Sequence, residues 1–126
     1  RQLFPQMAAG DGIDLFHIRY NAAHRGAETE AFPLLKDAGV VSYTATRWGH
    51  LLDPRKIPPG ATPPSSADCY RFVLSHPAIH VCLCGPRDMQ QMKAALQTLD
   101  SQPMKNAELD RMRVIGNHVH RQRSFF

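Results

Sequence analysis

The chain has 126 residues, 43% hydrophobic and 21% charged, the size and balance of one globular domain and not of a disordered segment. No apolar run approaches the ~18 residues of a membrane-spanning helix, and the opening RQLFPQMAAG has no apolar signal-peptide core. The formal charge of +4 is dispersed, apart from HVHRQR near the end, whereas a nucleic-acid binder concentrates its cations on one element; a mild cationic excess suits a phosphorylated ligand instead.

The first ten residues read as the tail of a helix closed by Gly10 and Gly12. IDLFHIRY is a strand, with Phe16, Ile18 and Tyr20 alternating against His17 and Arg19. After the loop NAAHRGAE the pattern predicts a helix from Thr29 to Ala38 with Gly39 as a left-handed cap, although Pro33 fits only a first turn. VVSYT is the second strand, and a proline-rich loop runs from it to Ser65. Ser65 or Ser66 caps SADCYRFVLS, which ends before Pro77. IHVCLC is the third strand, broken by Gly85 and Pro86. Asp88 caps MQQMKAALQTL, whose Met89, Met92, Leu96 and Leu99 share one helical face. A last helix from Asn106 buries Leu109, Met112, Ile115 and Val119.

Strands that alternate with helices build parallel sheets with right-handed crossovers. Three strands are few for such a domain, since both faces need cover and two edges stay open. A (β/α)8 barrel takes about 250 residues. The expected fold is therefore α/β, a partial (β/α)8 TIM barrel made of C-terminal β-α-β-α-β-α units plus a C-terminal helix, with residues 1–126 as one part of a single domain. A small doubly wound sheet is the alternative, but it calls for a glycine-rich phosphate turn, and neither G-x-G-x-x-G nor G-x-x-x-x-G-K-[ST] is present. The chain opens on Arg1 and not on Met, which points to processing or to a longer protein.

Parallel sheets bind ligands at the C-terminal ends of their strands. Three segments occupy those ends: HIRYNAAHRGAE, YTATRWG and CGPRDMQQ. In the second, Tyr43 offers a flat ring, Thr44 and Thr46 offer hydroxyls, and Arg47 offers a cation, a set that suits a pyrophosphate. Read as an ordinary surface loop, the same stretch leaves Arg47 in solvent and packs Trp48. In the third, Gly85 ends a strand three residues before a helix start, with Arg87 beside it, which is an anion site or a plain turn. The one H-x-x-x-H spacing, His76 to His80, runs from a helix end through Pro77 into the strand IHVCLC and not along a helix, so no metal is expected, and no local signature marks a Ser or Cys nucleophile. Cys69, Cys82 and Cys84 form no C-x-x-C pair; they read as reduced, packed thiols and point to the cytoplasm.

Taken together, these segments resemble the C-terminal half of the aldo/keto reductase family. DLFHIRYNAAHRGAETEAFPLLKDAGVVSYTATRWGHLL is similar to its sixth and seventh barrel strands, where Tyr-Asn and an Arg precede a Tyr-Ser-Pro-Leu turn ending in Gly. SADCYRFVLSHPAIHVCLCGPRDMQQMKAAL is similar to the next helix, the eighth strand and the helix after it. The resemblance implies an NADP (or NAD) dependent reduction of aldehydes or ketones by hydride transfer. It places Tyr43 against the nicotinamide, Thr44, Ala45, Thr46 and Arg47 around the pyrophosphate, and Gly49 at the close of that turn. His17 stands where many members hold the carboxamide with a Gln. Gly85, Arg87 and Gln91 fall in the adenosine-phosphate segment, and Ala94-Ala95 replaces a frequent Glu-Asn. Arg25 and Glu28 look like a pair that fixes the loop after the sixth strand. The family's catalytic Asp, Tyr, Lys and His come from its first four strands, which have no counterpart here, so this chain alone is expected to be inactive. The other expectation is a non-catalytic nucleotide-binding or interaction half-barrel that self-associates through its open edges, with no nucleic acid or membrane as partner.

Overall fold

The computed structural model describes residues 3–10 and 12–122. Its elements run α1 (Phe4–Ala9), β1 (Leu15–Arg19), α2 (Ala27–Glu30), β2 (Gly39–Tyr43), α3 (Ser66–Leu74), β3 (Val81–Cys82), α4 (Met89–Leu96) and α5 (Asn106–Arg121). The strands form one parallel sheet in the order β1-β2-β3. Register sets His17 beside Val41 and Val41 beside Val81, with Arg19 beside Tyr43.

Alternation along the strands divides the sheet into two unlike faces. On one, Phe16, Tyr20 and Val40 join Phe72 and Val73 of α3 and Met112, Ile115 and Val119 of α5 in a single core. Tyr20 stacks on Phe72 at 5.9 Å and meets Phe32 edge-on at 5.2 Å. Ser42 is fully buried on this side because its hydroxyl donates to the Tyr20 carbonyl at 3.2 Å. The other face carries Leu15, His17, Arg19, Tyr43 and Val81, all exposed; only Val41, flanked by a strand on each side, is buried.

Local chemistry sets the helix limits. Ser65 and Asp68 form a reciprocal cap on α3, the Ser65 hydroxyl accepting from the Asp68 N–H at 3.0 Å and the Asp68 carboxylate from the Ser65 N–H at 2.9 Å. Glu108 accepts from the Lys105 N–H at 2.8 Å and pairs with Arg71 at 3.0 Å, so one carboxylate caps α5 and ties it to α3.

Three expectations need correction. The helix expected over 29–38 is instead the short α2 followed by a turn of 3-10 helix at Phe32–Leu34, because Pro33 inside an α-helix would lose a hydrogen bond and strike the preceding turn. Gly39 is the first residue of β2 and not a left-handed cap; its N–H donates to the Asp14 carbonyl at 2.7 Å. On α4 the expected shared face of Met89, Met92 and Leu96, continued by Leu99, is present; it lies exposed, and Ala95 is the helix's buried residue. The third strand is shorter than its sequence pattern: only Val81 and Cys82 pair with β2.

Candidate functional site

The loop after β2 is built from unusual backbone. Thr44 has φ 60°, and Arg47, Trp48 and Gly49 follow one another at φ 51°, 53° and 83°. Left-handed backbone suits Gly49 but costs a β-branched or bulky residue on the order of 1–3 kcal/mol, so it persists only where surrounding bonds enforce it. Those bonds are present. Asn21, buried at the end of β1, donates from Nδ2 to the Thr44 carbonyl at 2.9 Å. The Arg47 N–H donates to the same carbonyl at 2.8 Å, and the Gly49 N–H to Thr46 Oγ1 at 3.3 Å. Ala45 and Leu51 are buried and anchor the loop from below.

This backbone reverses the side chains an ordinary surface loop would show. Trp48 is 65% exposed, and Arg47 only 6%. Arg47 runs under the loop to His24, its Nη1 at 3.1 and 3.2 Å from the two ring nitrogens. Burial, then the nearby Arg19, Arg47 and His120, push the His24 imidazole down to about 4, so it is neutral at physiological pH. Burial and Arg19 also lower Arg47.

Facing this loop is the tip of α4. Asp88 accepts from the Gln91 N–H at 2.8 Å, and Gln91 Oε1 accepts from the Arg87 N–H at 2.9 Å, a reciprocal cap that holds Arg87 at the helix start. A cleft of about 800 Å³ separates the two walls. Thr44, Ala45, Thr46, Gly49, Gly85, Arg87 and Gln91 all line it. The Thr46 hydroxyl, a guanidinium and the positive end of a helix thus converge on one space, an arrangement that receives oxyanions, while the Thr44 hydroxyl donates to the Tyr43 carbonyl at 2.7 Å.

The remaining candidates lie elsewhere. Tyr43 lines a second cleft of about 920 Å³, bounded by the end of β1, the segment 23–31 and α5. His17 is on the bare sheet face and lines neither cleft, and Arg47 is turned away from both. Arg25 and Glu28 are not each other's partners. Arg25 donates to the Ala22 carbonyl at 2.9 Å and to Asn117 Oδ1 at 3.0 Å, while Glu28 accepts the Tyr20 hydroxyl at 2.7 Å.

Ser66, Tyr70 and Trp48 also line the first cleft without having been singled out in the sequence. Ser66 and Tyr70 are four apart, so the helical period of α3 was the available signal. Asn21 had a signal too, being a short amide directly after a strand, where it satisfies a turn: its Oδ1 accepts from the Ala23 and His24 N–H groups at 3.0 and 2.9 Å. All three thiols are free, and burial pushes Cys69 and Cys82 up to about 12, which leaves them protonated and unreactive. Among the described residues no group of His, Cys, Asp and Glu is arranged to hold a metal, and no helix is long and apolar enough to cross a membrane.

Neither known protein families nor curated proteins yield a match to the sequence. Among solved structures, the chain is similar to the apo form of an aldo-keto reductase from Bacillus halodurans, with TM-score 0.67, 17% identity, and 85% of this chain against 44% of that one covered. The holo form of the same protein gives TM-score 0.65 and 16% identity, with 88% of this chain and 44% of that one covered. At such identities the likeness is one of fold. The chain has the fold of part of an aldo-keto reductase barrel, as the resemblance of its segments implied, and it spans less than half the length of those structures.

Proposed function

We propose that the cleft between the loop 44–52 and the tip of α4 holds the diphosphate of a nicotinamide dinucleotide, NADP or NAD, and that the chain is the cofactor-side, C-terminal part of an aldo/keto reductase domain acting on aldehydes or ketones in the cytoplasm. One observation carries this reading: two loops, each chosen from sequence as a phosphate grip, line the same cleft at the C-terminal ends of adjacent parallel strands. The Thr46 hydroxyl and the backbone around Thr44 and Gly49 would bind phosphate oxygens from one wall, and Arg87 with the first N–H groups of α4 from the other. Tyr43 and His17 share the bare sheet face that a closed barrel turns inward, where they would orient the ring and its carboxamide. When bound, the cofactor supplies the hydride.

The proton must come from elsewhere. Burial and Glu28 push the Tyr20 hydroxyl far up, and it is already spent as a donor to Glu28. Tyr70 is raised as well, by burial and then by the nearby Cys84, Cys82 and Cys69. A general acid working near neutrality needs the opposite shift.

Trp48 is the single tryptophan of the chain and lines the cleft, so its fluorescence reports occupancy. Titration with NADPH and NADH should quench it saturably. Arg87→Gln should weaken binding about tenfold, and the purified chain should consume no NADPH with any aldehyde. An unsaturable signal removes the nucleotide reading, and steady carbonyl reduction by the chain alone removes the division of labour.

The bare face and open edges favour a second reading, in which this half-barrel self-associates and binds nucleotide without catalysis. Leu15 and Val81 on the strands, Leu83 just beyond β3, Met89 and Leu96 on α4 and Leu99 just after it leave apolar surface for a partner. Sedimentation should then show concentration-dependent association; a folded monomer at every concentration counts against it.

A further inference from the structure

Arg47 is a buried cation. Among the described residues no carboxylate pairs with it, and its Nε is buried with no hydrogen-bond partner. A charge removed from water in this way is strongly unfavourable unless something compensates it. Among the described residues the polar partner of its guanidinium is His24, and that contact is not an ordinary hydrogen bond. A nitrogen almost equally distant from both nitrogens of one ring lies along neither lone pair, and in the ring plane it would collide with the carbon between them. The guanidinium therefore lies across the imidazole face, as a cation over a π-system. His120 meets the same ring edge-on at 5.4 Å.

This stacking leaves the ring nitrogens of His24 available in their own plane. The ring stands in the wall of the larger cleft, together with Arg19, Tyr43 and His120. Of the two carboxylates that also line it, Glu28 is engaged by Tyr20, and Glu30 sits beside it on α2. Arg19 and Arg47 both press positive potential on His24, and nothing described on β1 or β2 offsets it.

We propose that this cleft binds a small free oxyanion, the carboxylate or phosphate of an acid other than the dinucleotide, held by Arg19 and an N–H of His24 with the stacked Arg47 behind them as a fixed charge. The site lies apart from the diphosphate cleft between the loop 44–52 and α4, and shares with the proposed nucleotide site only Tyr43. Such a ligand supplies a counter-charge to Arg47, and a neutral imidazole donates one N–H to it without bringing a proton of its own.

The test is a titration of the chain with inorganic phosphate and, separately, with malonate, followed by the imidazole NMR signals of His24 and His120. Both anions should shift these signals saturably. Arg19→Gln, a change at an exposed strand position, should weaken binding at least tenfold, and Arg47→Gln should do the same. Arg55→Gln, an exposed cation paired with Asp53 at 2.9 Å, should leave binding unchanged. Should Arg47→Gln fail to fold, Arg19→Gln decides alone. Shifts that never saturate, or wild-type binding by Arg19→Gln, overturn the proposal. So does competition by saturating NADPH, because the anion would then be the cofactor's own. Quenching of Trp48 by NADPH, unaltered in Arg19→Gln, keeps the fate of the nucleotide reading separate.

Discussion

Gly116→Ala will destabilise the chain by about 3 kcal/mol, against the sign that helix propensity predicts. Gly116 lies inside α5, where alanine is ordinarily favoured over glycine by roughly 1 kcal/mol. Here α5 crosses the backbone after β1 so closely that a Cβ at 116 would overlap the carbonyl of Ala22 and stand 2.9 Å from the Ala23 nitrogen. The obstacle is backbone and cannot rotate aside. Ala22 and Ala23 are themselves buried, so the helix has to move. Moving it opens the core around Met112, Ile115 and Val119 and stretches the Arg25 bonds to the Arg113 carbonyl and Asn117. Urea unfolding followed by circular dichroism measures the difference. An alanine variant as stable as the parent would mean that α5 does not pack against the β1 loop this tightly.

That close approach was invisible in the sequence, where Gly116 breaks an otherwise good helical pattern. Much else was legible. The alternation of Phe16, Ile18 and Tyr20 fixed the covered face of β1, and Ser65 and Asp88 announced α3 and α4, because these signals are local. Pro33 announced its own effect and was outweighed only by the apolar pattern around it. The face of α4 misled for a different reason: Met89, Met92, Leu96 and Leu99 do share a face, but periodicity shows which residues want burial and not what is present to bury them.

The candidate site divides along the same line. Residue type and strand ends were enough to choose Thr44, Thr46 and Arg87, and the structure brings them to one cleft. The inward turn of Arg47 and outward turn of Trp48 were not legible. They follow from consecutive left-handed residues, of which only Gly49 has a type that signals such backbone, and from a hydrogen bond made by Asn21, distant in sequence.

Asn21→Ala should accordingly have the second large effect, about 2–4 kcal/mol of stability, together with loss of NADPH-dependent quenching of Trp48. The variant leaves the buried Ala23 N–H without its acceptor and frees the Thr44 carbonyl from its Nδ2 donor. The His24 N–H loses less, since it also donates to the Asn21 backbone carbonyl at 2.9 Å. Besides these bonds, the amide holds Thr44 in its strained conformation, and that part of its role is separable. Thr44→Gly removes the strain, on the order of 1 kcal/mol, and adds a similar entropic cost, so alone it should be nearly neutral. In the Thr44→Gly background Asn21→Ala should then cost less than in the parent, because there is no longer a left-handed threonine for Asn21 to hold. A double-mutant cycle reads this as coupling beyond the ~0.5 kcal/mol scatter of independent sites. Additive effects would show that Asn21 serves only its own turn, and that the loop presenting Thr44, Thr46 and Trp48 to the cleft keeps its shape without it.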